Sequence, residues 1–125
     1  MFIPVGDRNI NYLFISTIKK VDNGDTYGVE YKLGNGVKLY ESFQSSSARD
    51  NYFNDTFKTL LNSGPFVTIN DELRNVRFIT SVNTLDEEYA LEYHNVPGDV
   101  TIEEFDTAAE RDKKIKELQD TFIGV

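Results

Sequence analysis

The chain has 125 residues, 39% of them hydrophobic, a formal net charge of −8 at pH 7 and no cysteine. That length sustains one domain with its own core, and area scaling buries about two-thirds of the unfolded surface. The missing thiols exclude disulfides, iron–sulfur clusters, thiolate zinc sites and cysteine nucleophiles, and no apolar run approaches the ~18 residues of a membrane span.

Residues 2–5 are a short apolar run bounded by turn formers, which predicts a brief strand. The run has no basic region before it and is too short for a secretory signal, so the expected location is the cytoplasm. Residues 12–21 are β-branched and aromatic, with Phe14, Ser16 and Ile18 on one face of a period-2 pattern. Over 27–33, Tyr27, Val29, Tyr31 and Leu33 alternate with Gly28, Glu30 and Lys32. Asn35-Gly36 predicts a type I′ hairpin turn, whose two central positions both need positive φ, and a strand over 37–43 follows. Ser45, Ser46 and Ser47 offer capping oxygens to a helix with an apolar stripe of Tyr52, Phe53, Phe57, Leu60 and Leu61; Gly64-Pro65 stops it.

The same rhythm then returns. Residues 66–69, 76–85 and 89–93 read as strands, with a turn at Pro97-Gly98 and a further strand over 100–105. Thr107-Ala108-Ala109-Glu110 has the form of a capping box before a helix carrying Ala108, Arg111, Ile115, Leu118 and Phe122 at spacings of three and four, with Gly124 at its end. Residues 2–22 align with 66–86, and 27–61 with 89–123, giving 15 identities over 56 positions. The tightest match sets Tyr27, Glu30 and Tyr31 on Tyr89, Glu92 and Tyr93. The expected fold is α+β: two pseudo-symmetric ββββα repeats, residues 1–64 and 65–125, with antiparallel curved sheets and one helix per repeat. One helix cannot cover a curved meander, so the copies are expected to bury each other's apolar faces in a single pseudo-two-fold domain spanning 1–125.

Tandem ββββα units of this size resemble the PUR-repeat family and, more distantly, the Whirly proteins, at the level of topology and without a shared sequence motif. That resemblance implies binding of single-stranded nucleic acid. The strand–strand–turn–strand–helix rhythm is also similar to that of short phage proteins.

Charge separates the halves: residues 1–64 are net neutral and residues 65–125 carry the whole −8. The first functional reading is therefore a non-catalytic, acidic interaction protein. Asp86, Glu87, Glu88, Asp99, Glu103 and Glu104 would imitate a phosphate row and dock on a basic, nucleic-acid-handling protein partner, in the manner of a phage-type regulator or inhibitor. The competing explanation is that acids gather at turns and helix starts for structural reasons. An alternative is a PUR-like single-stranded nucleic-acid surface on the first half, formed by Lys19, Lys20, Lys32 and Lys38 with Tyr12 and Tyr40 as stacking platforms; the sequence pI of 4.6 opposes it. A further alternative is a nucleotide- or small-molecule-sequestering pocket lined by Tyr27, Tyr31, Tyr89 and Tyr93, residues that strand alternation alone also explains.

Catalysis finds little support. His94 is the sole imidazole, and its counterpart is Lys32, which fits an outward polar position. No set of histidine ligands for a metal exists, and Gly34-Asn35-Gly36 lacks the Lys-Ser/Thr of a phosphate loop. No cofactor, metal or membrane partner is expected, while pairing of an edge strand such as 2–5 allows a homodimer.

Overall fold

Gly6, at φ 59°, lets the chain reverse between β1 (Phe2–Val5) and β2 (Arg8–Asn11), which pair from Phe2↔Asn11 to Val5↔Arg8. This is the start of a computed structural model that describes residues 2–85, 89–96 and 98–123. The strand predicted from residue 12 begins three residues later. Asn11 caps a 3₁₀ turn over Tyr12–Phe14, its Oδ1 accepting the Leu13 N–H at 3.1 Å, and β3 then runs Ile15–Asn23. β4 (Thr26–Leu33) and β5 (Lys38–Phe43) complete a meander.

The turn between β4 and β5 is not type I′. Asn35 keeps a negative φ and Gly36 alone takes the left-handed region at 89°. Gly36 N–H donates to the Leu33 carbonyl at 2.9 Å and Leu33 N–H to the Val37 carbonyl at 2.8 Å, closing a three-residue loop. Helix α1 (Ser46–Ser63) starts at Ser45, whose Oγ accepts the Ala48 N–H at 3.1 Å.

β6 (Phe66–Ile69) and β7 (Glu72–Asn75) form the next hairpin, and its two turn residues, Asn70 and Asp71, both have positive φ, 51° and 64°. A 3₁₀ turn over Val76–Phe78 leads into β8 (Ile79–Leu85), β9 (Ala90–Asn95) and β10 (Asp99–Glu104). Pro97 of the expected Pro97-Gly98 turn lies outside the described residues. Helix α2 (Ala108–Ile123) is capped by Thr107, whose Oγ1 accepts the Glu110 N–H at 3.2 Å; the Glu110 carboxylate accepts the Asp106 N–H, one residue short of a standard capping box.

The class is α+β with antiparallel sheets, and among the described residues each half holds five strands, not four. The additions are β2 and β7, two short polar strands. β1–β2 stands as a two-stranded ribbon, β10-β9-β8 is a three-stranded sheet, and β5-β4-β3-β7-β6 is a five-stranded sheet to which both halves contribute. The hairpin β6–β7 joins the meander of the first half through Thr17↔Arg74 and Ile18↔Leu73. Among the described residues β2 does not pair with β8, so the exchange is not the mutual one that a two-fold arrangement requires.

The apolar interior is correspondingly divided. Ile15, Ile18, Val29, Tyr31, Phe53 and Leu60 form one cluster under α1, with Ile3 and Val5 from β1 and with Phe66 and Leu73 from the second half. Val67, Ile69, Val76, Ile79, Leu91, Tyr93 and Leu118 form the other, under α2. Strand alternation lets one hairpin serve both: Phe66 faces the first cluster while Val67 and Ile69 face the second. Among the described residues no helix is long and apolar enough to cross a membrane.

Candidate interaction surface

β10 alternates half-buried Asp99, Thr101 and Glu103 with exposed Val100, Ile102 and Glu104. Register places Val100 opposite His94 and Ile102 opposite Glu92, so two β-branched residues stand on the outer face of the three-stranded sheet, 57% and 45% exposed. The polar side of that face is fixed by hydrogen bonds: Glu92 Oε1 lies 2.7 Å from His94 Nε2 and accepts the Asn83 amide at 3.2 Å. The His94 contact, with help from Asn83, holds the Glu92 carboxyl below the usual carboxylate range. Glu104 and Asp106 continue the row toward the first turn of α2, both exposed. The result is a small apolar centre with an acidic end, on an edge strand. Val100 and Ile102 carry one faint sequence signal, an alternation with polar residues on a strand whose neighbour turns Glu92 and His94 to the same side.

The acidic candidates separate into distinct roles. Asp86, Glu87 and Glu88 lie outside the described residues. Asp99 is bound to Lys32, which holds its carboxyl below the ordinary range. Glu103 accepts the Tyr93 hydroxyl at 2.8 Å and the Asn70 N–H at 3.4 Å, tying β10 to β9 and to the β6–β7 turn. Glu104 alone of the described candidates is exposed on the outer face.

Each lysine candidate lies against a carboxylate of the same chain, Lys19 and Lys38 sharing one. Lys19 and Lys38 flank the buried Glu30 at 3.6 and 3.9 Å, and Tyr40 donates its hydroxyl to the same carboxylate at 3.1 Å. Lys20 sits 3.8 Å from Asp50 and over the Phe53 ring. Tyr12 packs on Phe66 with ring centroids 6.3 Å apart. Tyr40 is exposed, and its phenol is raised above its usual pKa by the bond to Glu30.

Where β10 meets the five-stranded sheet, a groove of about 310 Å³ gathers Lys19, Lys32 and Arg74 with Glu30, Glu72 and Asp99. Three cations face three carboxylates, leaving no net charge to draw an anion. Arg74 is buried; its Nη2 donates to Glu72 at 2.7 Å and to Thr101 Oγ1 at 3.1 Å, so it joins the sheets. Arg49 plays a comparable part in the first half, donating to the Val21 carbonyl at 3.0 Å and to Asp22 at 2.8 Å beneath the Tyr27 ring.

The four tyrosines are spread over the fold. Tyr31 is fully buried in the first cluster, its hydroxyl 2.6 Å from that of Tyr52, and Tyr93 is fully buried in the second. Tyr27 carries Arg49, and Tyr89 is exposed at the start of β9 with φ 49°. Burial pushes the Tyr31 and Tyr93 phenols far above the ordinary phenol range, with the contacts to Tyr52 and Glu103 adding to the shift. Both groups therefore ionise more readily in the unfolded chain. Their contribution to stability is complete below the ordinary phenol pKa of about 10 and is lost as pH rises beyond it. Urea midpoints measured from pH 9 to 12 are expected to fall more steeply for the wild type than for Tyr31→Phe/Tyr93→Phe; equal slopes refute that assignment.

No family model, no curated protein and no solved structure matches this chain.

Proposed function

We propose that the chain is a non-catalytic interaction protein, built by duplication of one sheet-and-helix unit, that uses the acidic face of its second half to bind a basic surface on a protein partner. Local geometry supports the duplication. The caps Asn11→3₁₀ turn and Asn75→3₁₀ turn match, as do the bonds from Gly6 N–H to Glu41 and from Asn70 N–H to Glu103. Gly34 N–H reaches the Phe14 carbonyl as Val96 N–H reaches that of Phe78, and Gly36 and Gly98 close equivalent turns. Each pair stands at equivalent positions of the sequence alignment.

The observation that carries the binding reading is the distribution of unspent charge. Lys19, Lys20, Lys32, Lys38, Arg49 and Arg74 are each engaged with a carboxylate of the same chain. Glu104, Asp106 and Asp120 of the second half are exposed, whereas the exposed Asp112 and Glu117 pair with Arg111 and Lys114; Glu104 and Asp106 adjoin Val100 and Ile102. An apolar pair supplies desolvated contact, and the adjoining acids steer a cationic partner toward it. The same pairing of the lysines counts against a single-strand binding surface, where backbone phosphates would have to displace existing ion pairs. The two separate clusters that hold Tyr31 and Tyr93 count against a shared tyrosine pocket.

Affinity purification from the native host at low and then high salt tests the proposal. A partner is expected with wild type at low salt and at least about tenfold less of it with Glu104→Lys/Asp106→Lys. Val100→Ser/Ile102→Ser should lose the same partner without changing its salt dependence. Glu103 is unsuitable for this test because of its bonds to Tyr93 and Asn70. Capture undiminished by both double variants, with circular dichroism showing intact folds, would defeat the assignment of this face.

A further inference from the structure

Among the described residues the pairing of β7 with β3 is made once, and it leaves one hairpin and one edge without the partners their counterparts have. β2 corresponds to β7 and β8 to β3, yet β2 ends a two-stranded ribbon and β8 ends the three-stranded sheet. We propose that the chain associates with further copies of itself head to tail, the β1–β2 hairpin of one copy adding to the β8 edge of the next in the register by which β6–β7 adds to β3. The inference rests on the duplication argued above, and not on the acidic face.

Transferring Thr17↔Arg74 and Ile18↔Leu73 to their counterparts sets Ser81 opposite Ile10, and Val82 opposite Asn9, of the neighbouring copy. Burial agrees position by position. Phe66 is 3% exposed at the internal joint, whereas Phe2 is 66% exposed. Thr17 and Ile18 are buried, whereas Ser81 is exposed and Val82 is half-buried. Asn75 is buried, its amide donating to the Leu13 and Ile15 carbonyls at 3.1 and 2.9 Å. Asn11 repeats the other half of that geometry, accepting the Leu13 N–H, but stands exposed. In the assembly its amide meets the carbonyls of Arg77 and Ile79 of the next copy. Phe2 then supplies to the second cluster what Phe66 supplies to the first.

Two features of the edges point the same way. Proteins ordinarily blunt exposed edge strands with charge or proline. β8 reads Ile-Thr-Ser-Val-Asn-Thr-Leu, uncharged over its whole length in a chain of net −8. On the hairpin it is β1, the opposite edge, that carries a proline, Pro4, leaving β2 open to pair. Head-to-tail contact also sets the −8 half of one copy against the neutral half of the next, so like charges are kept apart. Asn9 stands where the internal joint has Leu73, which makes this contact weaker than the internal one and concentration-dependent. Because the two faces differ, the contact is heterologous and propagates to chains or rings.

The cysteine-free chain gives a clean test. Directly opposed strand residues place their Cα atoms within disulfide range, so Asn9→Cys and Val82→Cys proteins, mixed and mildly oxidised, should yield at least about tenfold more cross-linked dimer than either alone. Substituting Tyr40→Cys for Val82→Cys should abolish that excess. Wild-type sedimentation from ~10 μM to ~1 mM should show mass growing in steps of 14.3 kDa, and Asn11→Ala should shift the growth to higher concentration. A wild type that stays monomeric throughout, or cross-linking no greater in the mixture than in Asn9→Cys alone, overturns the proposal. Hydrogen exchange separates the two failures: a monomer with a protected Leu73 amide, on the side of β7 that faces β3, loses only the assembly, whereas an unprotected amide there removes the internal joint as well.

Discussion

Leu73→Ala is expected to destabilise the protein by about 2–5 kcal/mol, the range for emptying a fully buried leucine site. Leu73 sits on a strand otherwise made of Glu72, Arg74 and Asn75, and it is fully buried in the cluster under α1. Its loss leaves a cavity beside Ile18, the residue opposite it across the joint, and the backbone pairing of β7 with β3 limits how far the walls can collapse. Chemical denaturation should show a lower midpoint with an unchanged m value. Asn9→Ala, at the equivalent but exposed place in β2, should remain within about 0.5 kcal/mol of wild type in dilute solution. A Leu73 variant equally close to wild type would mean that the first cluster closes without the second half.

Asn75→Ala is expected to be nearly as damaging, by about 2–4 kcal/mol, although it removes no apolar contact. The side chain satisfies three backbone groups at once: its amide donates to the carbonyls of Leu13 and Ile15, and its Oδ1 accepts the Arg77 N–H at 2.9 Å. The site is 1% exposed, so water cannot replace those bonds without opening the joint. Asn75→Asp should be no better, because a carboxylate aimed at two carbonyls repels them. Thermal melts of both variants beside Asn11→Ala, for which a loss of a few tenths of a kcal/mol is expected, check this. Equal small losses at positions 11 and 75 would remove the distinction between an occupied and an open joint.

The class, the two helices and most strands were legible because their signals are local. Ser45 and Thr107 cap where a hydroxyl before an amphipathic run should, and the alternation through Tyr31 and Tyr93 marks both central strands. β2 and β7 were illegible for the opposite reason. Arg8-Asn9-Ile10-Asn11 and Glu72-Leu73-Arg74-Asn75 carry almost no apolar pattern, and β7 is held on one side by β6 and on the other by pairs more than fifty residues away in sequence. The turn assignments erred similarly: Asn35-Gly36 carries the strongest type I′ signal, yet the chain uses that geometry at Asn70-Asp71. Charge counting located the acidic half but not its internal pairing, so Asp99 and Glu103 read as surface acids until Lys32 and Tyr93 were seen against them. Val100 and Ile102 were placed on a strand but on neither of its faces, because composition cannot tell which side of a strand faces inward.

The place of Phe66 and Leu73 also bears on how the protein comes into being during translation. Synthesis is vectorial, and a domain condenses when its last essential segment clears the ribosome. The nascent chain through Ser63 already holds the first meander and α1, but not the two side chains that seal the interior beneath that helix. The first half must therefore wait for the opening hairpin of the second. A polypeptide released early at the end of α1 would present an unsealed apolar face to chaperones and proteases.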